Sequence, residues 1–416
     1  MDHVLGFQCS LCGREYGLDE IEYVCPQHGD TGNVGVVYDL PKIARRWTRQ
    51  QLTNDLDYSI WRYRPLLPIE CDSPALPLQI GWTPLYRSQR LCDHLGMPHV
   101  YIKDDGRNPT ASFKDRASAI AVVKTRELRR EIVTTASSGN AGAALAGMAA
   151  SVGQPAVIFV PQTAPEAKVA QLLMFGATVL LVKGTYDQAF DLCLEASREF
   201  GWYCRNTGYN PFTLEGKKTA ALEICEQLGW RAPDRIFVSV GDGNIISGIH
   251  KGLKDLLALG WIDKMPKIMG VQAIGSAACY NAWRDHTETI MPVDAQTIAD
   301  SISVGLPRDG VRAVRAATQT GGAYLAVTDD EILDAMRVLA RQAAVFSEPA
   351  GATAYAGLVK AIQQGMVRPD ETVVVLVTGN GLKDVKSAIK AAGQAQYVEP
   401  SLDDLKSKMS HLQFQG

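Results

Sequence analysis

Short apolar runs alternate with amphipathic stretches along most of this 416-residue chain. Runs rich in β-branched residues predict strands at 99–103, 132–135, 156–160, 178–182, 235–240, 267–273 and 372–378. Apolar residues that recur every three or four positions predict helices at 141–151, 165–175, 186–200, 216–228 and 329–343. Strands and helices in alternation are typical of a doubly wound α/β protein.

The two ends of the chain depart from this alternation. Residues 1–40 form a small Cys-containing module, and residues 41–80 are rich first in Arg, Trp and Tyr and then in Pro. We expect residues 41–80 to be an arm or linker that lies across the main body. Residues 396–416 are polar, with one short helical pattern at 401–410, and are predicted to form a C-terminal tail.

Composition narrows the classes of function. The chain is long enough for two or three packed units, and a net charge of −3 offers no basic field for nucleic acid or a membrane surface. The first residues lack the pattern of a signal peptide, and no apolar run approaches the roughly 18 residues that span a bilayer. Nine scattered cysteines suit a reducing compartment. We therefore predict a cytoplasmic, enzyme-sized protein that acts on a small molecule, with a homodimer as the commonest default.

Two pairs of potential metal ligands lie in the N-terminal module. Cys9 and Cys12 form the first pair, Cys25 and His28 form the second, and a glycine follows each pair. Four nitrogen and sulfur ligands in two close pairs are typical of a tetrahedral zinc site of the ribbon type. Four protein ligands leave no open coordination position, so we predict a structural zinc. The alternative is chance spacing in a loop that merely packs its cysteines.

The segment 108–118, which reads Asn-Pro-Thr-Ala-Ser-Phe-Lys-Asp-Arg-Ala-Ser, contains one lysine, Lys114. This lysine follows a turn-forming Asn-Pro and precedes an Ala-rich run with helical spacing, which predicts a loop-to-helix junction. The positive end of the helix dipole disfavours an ammonium there. A partly neutral, desolvated lysine is what Schiff-base chemistry with a carbonyl cofactor requires. The alternative, a solvated surface lysine, is disfavoured by the loops that follow.

Two further loops place small residues at the start of a predicted helix. Segment 136–142, Ala-Ser-Ser-Gly-Asn-Ala-Gly, offers N–H and hydroxyl donors to an anion. Segment 241–248, Gly-Asp-Gly-Asn-Ile-Ile-Ser-Gly, has spaced glycines that allow successive N–H groups to converge on an anion. Each loop has an alternative explanation, an ordinary helix cap or a tight connection.

Together with segments 81–85 and 378–384, these motifs resemble the threonine synthase and tryptophan synthase β group of pyridoxal-phosphate (PLP) enzymes, fold type II, over most of the chain. The resemblance implies two doubly wound open-sheet domains with PLP in the cleft between them. The larger domain would comprise 81–116 and 211–395, and the smaller, mobile domain would comprise 117–210.

The resemblance also implies a role for each motif. Lys114 would form the Schiff base with PLP and move protons, Asn140 would bind the phenolic oxygen of PLP, and Thr378 would face its ring nitrogen. The residues whose N–H groups would hold the PLP phosphate are Gly241, Gly243, Asn244 and Ile245, with the Asp242 carboxylate pointing away. The residues that would bind the substrate are Ser137, Ser138, Gly139, Asn206 and Thr207.

The implied reaction is that of a carbon–oxygen lyase in threonine biosynthesis, from O-phospho-L-homoserine and water to L-threonine and phosphate. Threonine synthases commonly read Asn-Ser-x-Asn-Pro-x-Arg-x-Glu-Gly-Gln-Lys-Thr where this chain has 206–219, and their arginine helps to hold the substrate's phosphate. This chain has one extra residue after Asn206 and has Thr213 in place of the arginine. Lys217 or Lys218 could replace that charge, or either could lie on a solvated helix face.

Three alternatives to this reaction remain open at the level of sequence. Two have the same fold, namely a threonine/serine ammonia-lyase and a phosphoserine-dependent enzyme similar to cysteate synthase. The third belongs to another class, a zinc-ribbon binding protein whose PLP-like body no longer binds a cofactor. An intact Lys114, Asn140, glycine loop and Thr378 disfavour this third alternative.

Overall fold

A computed structural model describes residues 1–164 and 166–409 of the chain. Its strands, in chain order, are β1 (Val4–Cys9), β2 (Glu15–Tyr16), β3 (Val34–Tyr38), β4 (Leu85–Tyr86), β5 (Val100–Asp104), β6 (Val133–Ala136), β7 (Ala156–Pro161), β8 (Thr178–Val182), β9 (Tyr203–Cys204), β10 (Arg235–Ser239), β11 (Lys267–Ala273), β12 (Ala323–Val327) and β13 (Val373–Val377). Its helices are α1 (Leu40–Arg46), α2 (Arg49–Thr53), α3 (Gln89–Leu95), α4 (Lys114–Glu127), α5 (Asn140–Ala150), α6 (Glu166–Met174), α7 (Tyr186–Phe200), α8 (Phe212–Gln227), α9 (Asn244–Ala258), α10 (Ala278–Arg284), α11 (Gly310–Thr318), α12 (Asp329–Ala343), α13 (Pro349–Gln363), α14 (Val385–Ala392) and α15 (Leu402–Met409).

The larger sheet has six strands in the order β12-β11-β10-β13-β5-β4. Its neighbours are parallel except at the edge, where β4 is antiparallel to β5. The central strands β10 and β13 are buried at every position. Successive side chains of β10 belong to different cores, because Ile236 and Val238 pack with α9 whereas Phe237 packs with α13. Helices therefore cover both faces, which explains why these strands are continuous apolar runs.

The smaller sheet has four parallel strands in the order β8-β7-β6-β9. Helices α5 and α7 pack against its central strands, and α4 packs against both α5 and α8. Helix α4 thus lies between the smaller sheet and the part of the chain that forms the larger one. Both sheets point the carboxyl ends of their parallel strands at loops that carry the sequence motifs.

The N-terminal module is a three-stranded antiparallel sheet in the order β2-β1-β3. It packs against α8, where the Phe7 and Phe212 rings lie 5.7 Å apart and the Tyr38 hydroxyl donates to Glu215 at 2.8 Å. The segment 41–80 continues along the body, and its Trp47 packs on Trp261 with a ring distance of 4.5 Å. The module is therefore docked on the main body through α8.

The doubly wound α/β architecture predicted from the sequence is confirmed. Strands β8 and β11 and helices α7 and α12 have the predicted bounds, and the other predicted strands and most of the helices differ by one residue at one or both ends. Helix α8 is the exception, since it begins at Phe212 and not at 216. Positions 165 and 410–416, which include part of two predicted helices and of the tail, lie outside the described residues. Within the part of the chain that is described, no helix has the length and apolarity required to cross a membrane.

Candidate active site

The motifs predicted from the sequence converge because they follow parallel strands whose carboxyl ends meet. Strands β10 and β13 of the larger sheet lead into Gly241 and Thr378, and strand β6 of the smaller sheet leads into Ser137. Ligands of open α/β sheets bind in the crevice at this edge. The predicted residues that line one shared cavity are Lys114, Asn140, Thr207, Gly241, Gly243, Asn244, Ile245 and Thr378.

A second cavity adjoins the first, and Asn140 and Glu348 belong to the walls of both. The predicted substrate residues Ser138 and Gly139 line this second cavity. Two binding spaces that share a wall suit a site for a cofactor beside a site for a substrate.

Two of the predicted substrate residues, Ser137 and Asn206, line neither cavity. They support the loop that does. The Ser137 hydroxyl accepts the N–H of Gly139 at 3.2 Å. The Asn206 side-chain oxygen accepts the N–H of Ala136 at 2.8 Å and the hydroxyl of Thr135 at 2.9 Å. Asn206 therefore ties the end of β9 to the end of β6 and fixes the loop that carries Ser138.

Lys114 is the first residue of α4, as the predicted loop-to-helix junction requires. The preceding Phe113 donates its N–H to the Thr378 carbonyl at 2.8 Å, so the loop is fixed to the end of β13. Burial lowers the pKa of Lys114 to about 8, and the positive charge of Arg205 acts in the same direction. The amine is therefore far easier to deprotonate than that of an ordinary lysine, whose pKa is about 10.4.

The loop after β10 forms a nest of backbone N–H groups, those of Gly241, Gly243, Asn244 and Ile245. Gly243 has a φ of +87°, and a Cβ there would lie 2.8 Å from the Asp309 carbonyl oxygen, so the turn requires glycine. Helix α9 begins at Asn244. Within the described residues no acceptor pairs with these four N–H groups. Unpaired N–H groups at a helix start are a site for a phosphate, so this N–H nest fits the phosphate of PLP.

Asp242 lies inside the nest but is partly engaged elsewhere. Its carboxylate accepts the Arg308 N–H at 3.3 Å, and its carbonyl accepts the Asp309 N–H at 2.8 Å. The side chain still lines the cavity. The anchoring to segment 308–309 fixes the shape of the loop.

Glu348 is a site residue to which the sequence analysis gave no role. It is buried, and its carboxyl accepts the Asn140 amide at 2.8 Å. Burial raises the pKa of Glu348 to about 7, although the Asn140 hydrogen bond opposes that shift. The signal in the sequence is an acid directly before the Pro349 that starts α13.

Two buried basic side chains lie near the cavity: Arg205, to which the sequence analysis gave no role, and Lys217, one of the two lysines considered for the substrate's phosphate. Arg205 follows β9, and its guanidinium donates to the hydroxyl of Thr207 at 2.8 Å. Lys217 of α8 donates to the side-chain oxygen of Asn244 at 2.5 Å. Both side chains are fully buried. Arg205 has no motif signal, and local sequence does not place either residue relative to the cavity, because that depends on how α8 and β9 pack.

The four predicted metal ligands of the N-terminal module converge. The ligand atoms of Cys9, Cys12, Cys25 and His28 all lie within 4.8 Å of one another. Zn–S bonds of about 2.3 Å and Zn–N bonds of about 2.0 Å in a tetrahedron place ligand atoms about 3.5 to 3.8 Å apart. The distances from His28 Nδ1 to the sulfurs of Cys25 and Cys9, 3.4 Å and 3.7 Å, agree with that expectation. The donor set and its geometry fit zinc.

Comparison with known proteins gives a consistent picture. A family model described as "Pyridoxal-phosphate dependent enzyme" matches residues 76–379. A threonine synthase of Methanocaldococcus jannaschii is 39% identical over 407 residues, which cover 97% of this chain and 99% of that protein. A threonine synthase of Methanosarcina acetivorans is 38% identical over 401 residues, covering 96% of this chain and 97% of that protein.

Solved structures agree on the fold. The processed form of threonine deaminase isoform 2 from Solanum lycopersicum aligns with a TM-score of 0.65 and 25% identity, covering 74% of this chain and 87% of that chain. This similarity supports the α/β architecture predicted from the alternation of strands and helices.

Proposed function

Because the chain belongs to the threonine synthase family of pyridoxal-phosphate-dependent enzymes, we propose that it converts O-phospho-L-homoserine and water to L-threonine and phosphate. The observation that carries this proposal is Lys114, a partly buried amine with a pKa of about 8 that shares one cavity with the N–H nest. Relatives named threonine synthase that align with nearly the whole chain favour this reaction over those of an ammonia-lyase or a cysteate synthase-like enzyme.

The cavity residues account for the binding of PLP. The N–H nest would hold its phosphate, Asn140 its phenolic oxygen, and the Thr378 hydroxyl its ring nitrogen. PLP, when bound, supplies an electron sink for negative charge that develops on the substrate. A neutral hydroxyl does not hold the ring nitrogen protonated as a carboxylate would, and this favours elimination and replacement over transamination.

We assign proton transfer at the substrate's α carbon to the Lys114 amine. A pKa of about 8 keeps a useful fraction of this amine neutral near neutral pH, and the same group can return the proton later. Ser138 and Gly139 would bind the substrate's carboxylate, which orients the α carbon toward Lys114. A proton is lost from the β carbon as phosphate leaves the γ carbon. Water then adds at the β carbon, the γ carbon gains a proton to become a methyl group, and the α proton is returned, which balances the reaction.

The test is an assay of the purified holoenzyme with O-phospho-L-homoserine in which phosphate and threonine are measured together. We expect equal amounts of both products. Phosphate from O-phosphoserine without threonine formation would favour the cysteate synthase-like alternative. Ammonia and a keto acid formed from threonine would favour the ammonia-lyase. An apoprotein that acquires no visible absorbance band on addition of PLP would favour the third alternative, a zinc-ribbon binding protein that binds no cofactor.

We also propose that Cys9, Cys12, Cys25 and His28 bind one structural zinc ion, which makes residues 1–40 a zinc-ribbon module. The support is the convergence of the four ligand atoms within 4.8 Å. We expect about one equivalent of zinc in the parent protein and none in Cys9→Ser, measured by elemental analysis. Cys71→Ser is the matched control, because this exposed cysteine lies outside the cluster. Metal-free parent protein would contradict the proposal.

For the domain organisation we propose the boundaries that the sequence predicts. The arm is 41–80, the larger domain comprises 81–116 and 211–395, the smaller mobile domain is 117–210, and the tail is 396–416. Cytoplasmic location and a homodimer are part of the same proposal. Sedimentation of the holoenzyme measures the oligomeric state, and a single species of monomer mass would contradict the homodimer.

A further inference from the structure

Thr213 cannot take over the role of the arginine that it replaces. Its side chain is fully buried, and its hydroxyl donates to the Asn210 carbonyl at 2.8 Å. It therefore closes the first turn of α8 and offers nothing to a ligand. A substrate that carries a phosphate dianion nevertheless needs a cation, because burying an unpaired charge is costly.

The two lysines of α8 that are candidates for this role have different surroundings. Lys218 is paired with Glu215 at 2.6 Å and Asp255 at 2.8 Å, so its charge is already balanced. Lys217 donates to the side chain of Asn244, the first residue of α9 and a member of the N–H nest. Lys217 therefore belongs to the side of the cavity where the phosphate of PLP would bind, and neither lysine is left for the substrate.

Arg205 is a buried guanidinium whose hydrogen bonds are incomplete. Its Nη1 donates to Thr207 at 2.8 Å, its Nε donates to Ser118 at 3.2 Å, and both acceptors are neutral hydroxyls. Its Nη2 is buried and has no hydrogen-bond partner in the part of the chain that the structure describes. No carboxylate of those residues forms a salt bridge with it. A buried guanidinium with a spare donor is a receptor for an anionic ligand, since guanidinium groups favour forked pairing with phosphate.

The position of Arg205 joins this receptor to the active site. Thr207, whose hydroxyl Arg205 holds, lines the same cavity as Lys114 and the N–H nest. The charge of Arg205 lowers the pKa of Lys114, and it also lowers that of Lys217, where burial and then Lys114 contribute more. These effects agree with a guanidinium close to both amines.

We propose that Arg205, together with the Thr207 hydroxyl that it holds, binds the phosphate group of the substrate in place of the family's arginine at position 213. The assignment rests on the proposed function, because it takes O-phospho-L-homoserine as the substrate. In this chain the cation that binds the substrate's phosphate would follow β9, whereas the family's arginine corresponds to a position at the start of α8. The one-residue insertion after Asn206 lies between these two positions, so the loop that carries Thr207 differs from the family pattern where the cation does.

The test compares holoenzymes of Arg205→Gln and of a matched control, Arg198→Gln. Arg198 lies on α7, is half exposed, and pairs with Asp30 at the surface. We expect Arg205→Gln to raise the KM for O-phospho-L-homoserine about tenfold to a hundredfold, the effect of losing a hydrogen bond to a charged group. Arg198→Gln should leave KM unchanged. Binding of L-threonine, which has no phosphate, is followed by the absorbance of the cofactor and should change by less than about threefold.

Two outcomes overturn the proposal. Equal losses of affinity for O-phospho-L-homoserine and L-threonine would mean that Arg205 only supports the fold, and an unchanged KM would mean that it does not bind the phosphate. If Arg205→Gln does not fold, Thr207→Val decides the matter, because it removes the hydroxyl and leaves the guanidinium. We expect Thr207→Val to raise KM about tenfold with threonine binding retained, and an unchanged KM would overturn the assignment.

Failure of the proposed function is recognised separately. If the parent holoenzyme forms no threonine, titration with inorganic phosphate by calorimetry still tests the receptor. We expect binding in the parent that is lost in Arg205→Gln and retained in Arg198→Gln. Identical phosphate binding in all three proteins would overturn the assignment of Arg205 whatever the reaction is.

Discussion

Two groups of charged side chains in the interior each include one residue of α4 and one of α8, and they differ in how their charges are balanced. In the first, the balanced cluster, Arg116 binds Asp105 at 2.6 Å and Lys103 binds Glu223 at 2.7 Å, with Arg116 also bound to Glu223. All four side chains are fully buried. Two cations therefore face two carboxylates inside the protein.

The second group, the cationic cluster, consists of Lys114, Arg205 and Lys217. Within the described residues none of the three forms a salt bridge, and the carboxyl groups that interact with Lys114 are those of Asp242 and Glu348. Burial and, after it, the charge of Arg205 lower the pKa of Lys114 to about 8. In the balanced cluster, burial alone would raise the pKa of Glu223, but Arg116 and Lys103 outweigh burial and lower it to about 2.

This difference distinguishes charges that stabilise the fold, in the balanced cluster, from charges that are available to ligands, in the cationic cluster. Removing one partner of a buried pair leaves the other uncompensated, so a balanced cluster is costly to disturb and ties its helices together. A buried excess of cations is unfavourable by itself and becomes favourable when anionic ligands bind. If the proposed phosphate contacts hold, the cationic cluster is the part of the molecule that the phosphates of cofactor and substrate stabilise on binding.

The largest effect is expected for Lys114→Ala. Loss of the amine should lower threonine formation by at least about 10³-fold, because the group that moves the α proton is gone. The free energy of unfolding of the apoprotein should not fall, since a partly buried amine that forms no salt bridge among the described residues is removed. Activity and urea unfolding measure the two quantities. A borohydride-reducible adduct with PLP in Lys114→Ala would show that another lysine binds the cofactor.

The opposite pattern is expected for Glu223→Gln in the balanced cluster. Removing this carboxylate leaves Lys103 and Arg116 with a single anionic partner, and we expect a loss of about 3 to 5 kcal/mol in the free energy of unfolding. Activity per folded molecule should stay close to that of the parent, because Glu223 does not line the cavity. Urea unfolding followed by circular dichroism gives the first quantity. A loss below about 1 kcal/mol would mean that the pairing contributes little.

The charge of Glu348 should make the apoprotein's stability depend on pH. Its pKa is raised to about 7 in the folded protein, whereas that of an unfolded glutamic acid is about 4.3. The folded state therefore binds more protons between these values, so this contribution is complete below about pH 4.3 and is lost as the pH rises through about 7. The groups that face Glu348 are Asn140 and, more weakly, Lys383, Lys114 and Lys168.

The corresponding variant is Glu348→Gln, which keeps the size of the side chain and removes the titration. Between pH 5 and pH 8 the parent apoprotein should lose about 1 to 3 kcal/mol more unfolding free energy than the variant does. Urea unfolding at both pH values provides the comparison. Parallel pH profiles for the two proteins would show that Glu348 titrates normally.

The sequence predicted the strands and helices better than it predicted the cationic cluster. Elements with strict periodicity, such as α7 and β11, were found with the predicted bounds because local pattern determines them. Strand β12 and helix α13 were not predicted, because α13 is Ala-rich and buried almost throughout and so has no polar face to reveal its period. Lys114 was found through its motif. Arg205 and Glu348 acquire their surroundings from chain segments far away in sequence, which a local pattern does not report.

The smallest effect is expected at Ala111, in the loop that leads to Lys114. Ala111 has a φ of +61°, in the left-handed region that favours glycine. The left-handed conformation costs an alanine about 1 to 2 kcal/mol, and a glycine would lose about 0.4 to 1 kcal/mol through its freer unfolded chain. We therefore expect Ala111→Gly to stabilise the protein by less than about 1 kcal/mol, measured by urea unfolding. Activity should be unchanged.

Arg129 is the matched control for Ala111, because it has a φ of +51° on an exposed turn far from the cavity. If strain alone is relieved, Ala111→Gly and Arg129→Gly should give similar small gains. A gain at Arg129 together with a loss of stability or activity at Ala111 would mean that the alanine side chain itself holds the Lys114 loop. In that case the strained backbone at Ala111 helps to position the Lys114 amine at the cavity. The cationic cluster would then depend on backbone geometry as well as on the anions that it binds.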